Sequence, residues 1–326
     1  MPRNTLKKLA FSALILSGAL MEGVPLQQAY AAAPMVRTQA PGYYRLMLGA
    51  FEITALSDGT DDLPVDQLLT NTTKAKTDLA LHNAFEASPL ETSVNAFLIN
   101  TGTRLILVDT GAGAMFGPTL GKLISNLKAA GYQPEQIDEA LITHLHPDHV
   151  GGLVSDGKAS FPNAQVFVSK ADADFWLSKA NLDAAPESSK VFFTDAVSAV
   201  APYIAAQHFS IFDGSTEIAP GIRTVSLPGH SPGQTGYAVE SQGQKLLIWG
   251  DVVHVEAVQF DDPSVTIAYD ASPETAEAER NKQFQKAASE GYLVASAHLA
   301  FPGFGHVRAS GKAFQWVPVN YSRLPE

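Results

Sequence analysis

The chain has 326 residues, 45% of them hydrophobic, which suits a sizeable buried core. A formal net charge of −11 argues against nucleic acid as a partner. The absence of cysteine excludes disulfides, thiolate metal ligands and cysteine nucleophiles, so any metal site must be built from His, Asp and Glu.

In chain order, Arg3, Lys7 and Lys8 make a basic start, Leu9 to Leu20 an apolar run, and Ala29-Tyr30-Ala31 a small-x-small site. This is the layout of a secretory signal peptide cleaved after Ala31, which leaves 32–326 as a single domain and predicts export to the periplasm. The apolar run is too short to span a bilayer comfortably, so no stable membrane anchor is expected. "YYRLMLGAFEITALSDG" reads as a hairpin turning near Leu48-Gly49, and "TSVNAFLIN" and "TRLILVDTG" as two more strands. A helix fits "PTLGKLISNLKAAG", from Pro118 to a stop at Gly131. "PEQIDEALITH" carries a helical turn into a buried strand, Ala140 to Thr143; "AQVFVSK" is a strand and "ADADFWLSKA" a helix. Helical segments and loops fill 181–212, overhanging a site. "IRTVSLPGH", "TGYAVES" and "QKLLIWGDVV" are strands, "PETAEAERNKQFQKAASEG" a helix and "YLVASAH" a final buried strand. Strands and helices in both halves suit two mixed sheets packed together with helices outside.

"THLHPDHVGG" (143–152) places His144, His146, Asp148 and His149 directly after a strand, where α/β proteins put their chemistry. His144 and His146, two apart, can aim at one point from an extended turn. Asp148 and His149 follow Pro147 and can face a second point. One metal cannot easily use four ligands from so short a loop; two adjacent metals can. His230, Asp251 and His298 each follow an apolar strand and complete the set. A carboxylate such as Asp251 can bridge two ions. His82, His208 and His306 read as solvated or turn residues. No G-x-S-x-G motif occurs.

The pattern His-x-His-x-Asp-His, then "PGHSPG", "GD" and a late His, resembles the metallo-β-lactamase superfamily. Within it, "APGYYRLMLGAFEITALSDGT", "FGPTLGKL", "NLKAAGYQPEQIDE" and "AVQFDDPSVT" are closely similar to the methyl parathion hydrolases. The resemblance implies a four-layer αββα sandwich and a homodimer with two divalent ions per chain. Zinc is the usual metal; manganese, cobalt and iron are compatible with the same ligands. It assigns His144, His146 and His230 to one ion, Asp148, His149 and His298 to the other, and Asp251 to both. A metal-bridging hydroxide held by Asp148 and Asp251 is then the expected nucleophile. Asp109 either supports the site from behind or caps its strand. Phe116, Trp176, Phe192 and Phe193 lie where these relatives have pocket aromatics, although each fits a core as well.

The chain departs from the methyl parathion hydrolase pattern at Leu68, His254 and Ile267, and is one residue shorter near Ser188-Ser189. These changes predict a pocket for a planar aryl ester or lactone, with His254 offering a hydrogen bond to a carbonyl or phenolate oxygen. Phosphotriester cleavage is expected as a side activity. The alternatives are an organophosphate hydrolase and an exported metal-binding protein without turnover.

Overall fold

The computed structural model describes residues 33–324, so the expected signal peptide lies outside the described residues. The chain divides into two units, Met1–Gln39 and Ala40–Glu326. Residues 33–39 carry no regular secondary structure, and the sheets and helices lie in the second unit.

Two seven-stranded sheets form, each with its strands in chain order. The first contains β1 (Tyr43–Leu48), β2 (Phe51–Leu63), β3 (Leu90–Asn100), β4 (Leu105–Val108), β5 (Glu139–Leu141), β6 (Gln165–Ser169) and β7 (Phe209–Phe212). β1 to β4 pair antiparallel, and β4 to β7 parallel. The second contains β8 (Glu217–Ala219), β9 (Ile222–Ser226), β10 (Thr235–Ser241), β11 (Gln244–Ile248), β12 (Leu293–Ala295), β13 (Phe304–Ser310) and β14 (Ala313–Pro318). Only β11 and β12 pair parallel there.

The period-two alternation of the strands builds the layers. Ile106 and Val108 join Phe97, Ile99, Ile53, Tyr237, Leu246, Ile248 and Phe304 in a core between the sheets. Leu105 and Leu107 face the other way, onto α1 (Leu123–Ala129) and α2 (Lys190–Ala205) through Leu127, Phe193, Ala196 and Val200. On the far face of the second sheet, Leu247, Val294 and Trp316 meet Phe284 of α3 (Pro273–Glu290). The expected αββα sandwich is therefore the observed one. Truncating the fully buried Phe284 to Ala would cost roughly 3–5 kcal/mol.

Two expectations are corrected. The helix predicted from Pro118 begins only at Leu123. Asp58 captures the amides of Gly121 and Leu123 from below, and Gly121 sits at φ +77°, which holds 118–122 as a loop. "YLVASAH" is not the final strand, since the hairpin β13–β14 follows it and covers α3; His306, read as a turn residue, lies on β13.

This topology sets the site. Asp109 follows β4, the 143–149 segment follows β5, His230 lies just beyond β9, Asp251 beyond β11 and His298 beyond β12. Each candidate ligand is thus carried just past the end of a strand, the usual seat of chemistry in such folds.

Candidate metal centre

The loop after β5 can turn sharply because Pro147 opens a one-turn helix, Pro147–Val150, and two glycines follow it. A Cβ on Gly152 would lie 1.9 Å from the Thr110 carbonyl oxygen, and one on Gly151 2.1 Å from that of Ala112. Only glycine permits this approach, which brings His149 against Asp109.

Two groups of ligand atoms converge, each within 4.8 Å: His144, His146 and His230, and Asp148, His149, Asp251 and His298. The Asp251 carboxylate lies between them. Its Oδ2 is 3.3 Å from His230 Nε2 and 3.1 Å from His298 Nε2, and its Oδ1 is 3.2 Å from His149 Nε2. All seven residues singled out from the sequence are brought together, with Asp251 in the second group and close to His230 of the first. A third, overlapping group adds His254 to His230 and Asp251.

Partners behind the rings fix which nitrogen faces inward. A carboxylate can only accept, so His149 Nδ1–H donates to Asp109 Oδ2 at 2.9 Å and His230 Nδ1–H to Asp270 Oδ1 at 2.9 Å. His298 Nδ1–H donates to the Ser93 carbonyl at 3.0 Å. Thr143 Oγ1 gives its proton to Asp109 Oδ2 and so accepts from His144 Nδ1 at 3.1 Å. In all four rings the Nε2 lone pair is left for the centre. His146 turns its Nδ1 inward instead, 3.0 Å from His230 Nε2. Asp109 therefore supports the site from behind, at φ +59°, a conformation rare for a non-glycine residue.

The donor set fits two divalent ions. His144 Nε2, His149 Nε2 and Asp251 Oδ1 are buried without a hydrogen-bond partner, a costly state for polar atoms unless a cation takes their lone pairs. Hard oxygens with imidazole nitrogens suit zinc, manganese, cobalt or iron. Burial, and next the neighbouring His149, hold the His144 ring well below its usual pKa; burial and then His230 do the same for His146. Burial pushes the Asp251 carboxyl up, but the positive charge that His149 and His298 carry when protonated outweighs it and keeps the group ionised. Asp148 behaves alike, against burial and through the same two rings.

One carboxylate that the sequence reading missed joins the ligand loops. Asp172 accepts from the amides of Leu145 at 2.7 Å and Gly233 at 2.9 Å, and from the Ser231 hydroxyl. Ser231 in turn accepts from Trp176 Nε1 at 2.8 Å. No spacing rule separates Asp172 from the other aspartates of a helix start. Asp58 has a similar role below the wall loop, where it accepts from Ala112, Gly121 and Leu123.

A cavity of about 90 Å³ opens onto the centre. Phe116, Phe192 and His254 line it, as expected, together with Asp61, Leu63, Thr92, Leu120 and Tyr269. Trp176 and Phe193 line instead a neighbouring cavity of about 380 Å³, which shares His146, Phe192 and Tyr269 with the first. Leu68 and Ile267 border neither: Ile267 is fully buried in a satellite core with Val65, Leu81 and Val255, and Leu68 packs on that core.

His254 is buried, and its ring stacks on His298 at 5.2 Å. β11 has ended by Ile248, so strand alternation no longer sets its direction. Gln259 Oε1 accepts the amides of His254 and Val255, and Arg280 holds the carbonyls of Val252, Pro263 and Val265. The ring is thereby held with Nε2 3.1 Å from Asp251 Oδ2, so this nitrogen, expected to meet a substrate oxygen, meets a carboxylate. Burial holds its pKa down to about 4.

Comparison with known proteins agrees with the geometry. The family model described as the metallo-beta-lactamase superfamily matches residues 90–298. The crystal structure of the hydrolase AbOPH, of the beta lactamase superfamily, is 40% identical with a TM-score of 0.84 and covers 88% of this chain and 100% of its own. AidC, a dizinc quorum-quenching lactonase seen with a product, is 26% identical with a TM-score of 0.80, covering 86% of this chain and 99% of its own. An N-acyl homoserine lactonase of Bacillus sp is 24% identical over 172 residues, 47% of this chain. The chain spans 60% of that lactonase's length and 63% of its Bacillus cereus counterpart's.

Proposed function

Because the chain belongs to the metallo-β-lactamase superfamily, we propose that it is a binuclear metal-dependent hydrolase of small neutral lactones and aryl esters. The observation that carries this is the pair of converging ligand groups, with Asp251 of the second 3.3 Å from His230 of the first, on the wall of one cavity. When bound there, two divalent ions supply a nucleophile from water at neutral pH and polarise the carbonyl. The chain's own residues do the rest. Asp109, Asp270 and the Ser93 carbonyl hold three ring tautomers, so no reorientation is needed during turnover. Phe116, Phe192 and Tyr269 present faces and edges to a flat aryl group and exclude water around it.

Lactones and esters are favoured over phosphotriesters for two reasons. The His254 ring takes up space beside Asp251, where a tetrahedral phosphorus centre would need room, and flat apolar side chains line the cavity. The likeness to AidC, named as a lactonase, supports the same choice. The second reading, an organophosphate hydrolase, draws on the segments similar to methyl parathion hydrolases.

Two experiments test the proposal. Purified protein is expected to hydrolyse dihydrocoumarin, to lose that activity on chelation and to regain it with zinc; turnover indifferent to chelation would contradict it. His254→Ala, which frees the space beside Asp251, is expected to raise the phosphotriester-to-lactone ratio of kcat/KM; an unchanged ratio removes the His254 argument. Export through residues 1–31 and a homodimer are further proposals, resting on the sequence alone. N-terminal sequencing of periplasmic protein and light scattering check them.

A further inference from the structure

Asp61 lies on the cavity wall, outside both ligand groups. β2 carries an irregularity between Ser57 and Gly59, after which its register continues with Asp61 opposite Thr92 and Asp62 opposite Glu91. Asp61, Leu63 and Thr92 consequently line the cavity, while Asp62 is exposed and absent from its wall. Among the described residues no lysine or arginine pairs with the Asp61 carboxylate, and none lines this cavity or its neighbour. Its own chain supplies the amide of Asp62. Burial, and then the charge of Asp148, push its carboxyl up, and Tyr269, partly exposed on the same cavity wall, feels both aspartates. A negative group at the mouth of an apolar cavity acts through a medium that screens it less than water does.

We propose that Asp61 selects substrates by charge at the cavity mouth: it turns away esters that carry a carboxylate and hastens departure of the carboxylate product. This rests on the ester and lactone reading, since hydrolysis of a neutral lactone creates one negative charge where the substrate had none. It also names the substrate class: neutral or cationic acyl groups are admitted and anionic ones are not.

The test compares the zinc-loaded wild type with Asp61→Asn, Asp61→Ser and the outward-facing Asp62→Asn at pH 8. Phenyl butyrate and monophenyl succinate serve as a neutral and an anionic ester of similar size. Both Asp61 variants are expected to raise the anionic-to-neutral ratio of kcat/KM about tenfold or more, about 1.4 kcal/mol of discrimination. They are also expected to bind 3-(2-hydroxyphenyl)propanoate, the dihydrocoumarin product, roughly tenfold more tightly by calorimetry. Asp62→Asn is expected to change both by far less, and added salt to weaken the wild-type discrimination. Ratios and product affinities within about twofold of wild type in both Asp61 variants overturn the proposal. Wild type inert toward phenyl butyrate overturns the ester reading instead, and the calorimetric comparison still decides the role of Asp61.

Discussion

The 143–149 segment and the wall of the cavity above it are held in different ways. In the ligand segment, three imidazoles and an aspartate lie on seven residues, and Asp109, Thr143 and Asp172 fix the loop and two of its rings from behind. The wall is hung on longer connections. Phe116 rides on a loop whose ends Asp58 ties and whose Leu120 packs on Val94 and Ala112, Tyr269 lies on the segment after Ile267, and both are more than one-third exposed. A buried frame, hydrogen-bonded from behind, is what a metal centre needs, because small errors in ligand position are costly. The exposed part of the wall can vary without disturbing that frame, so reaction type resides in the strand ends and substrate choice in the wall, with Phe116 and Tyr269 on loops, Phe192 on α2 and Asp61 on β2.

The first way to break this contrast is at Asp251, which touches both ligand groups. Asp251→Ala is expected to remove hydrolysis to background and to lower bound zinc, read by elemental analysis of the purified protein. Wild-type metal content and activity would show that the carboxylate between the groups is dispensable. Next comes the frame. Asp172→Ala leaves three donors without a partner on two ligand loops, at about 1–3 kcal/mol for each one that stays buried and unpaired. Thermal unfolding should show the largest loss of stability here, together with reduced activity. Asp109→Asn keeps the shape but offers a weaker acceptor to His149, and a chelator competition should show zinc affinity falling roughly 10–100-fold. The smallest effect is expected in the wall. Phe192→Ala should raise KM for dihydrocoumarin several-fold with little change in kcat, which is the signature of lost uniform binding. A collapse in kcat at Phe192 would erase the distinction between frame and wall.

The same contrast explains what could be read in advance. The ligands were legible because each follows an apolar strand closely, and a strand end places its next residues with little freedom. The sandwich was legible because both faces of strands such as Leu105–Val108 are apolar, which requires a layer on each side. Asp61 was hidden by the irregularity at Ser57–Gly59, since a shift of one residue exchanges the faces of everything after it. His254 was ambiguous because it lies past the end of its strand, where Gln259 and Arg280, rather than alternation, set its direction. Leu68 and Ile267, expected in the pocket from the resemblance, sit outside both cavities, which a linear comparison cannot reveal.

The most direct measurement is a side-by-side kcat/KM of the zinc-loaded protein on dihydrocoumarin and methyl parathion. A lactone preference of about tenfold or more, about 1.4 kcal/mol in the transition state, is the predicted result. A preference for methyl parathion would contradict it and make the chain an organophosphate hydrolase on the same metal frame.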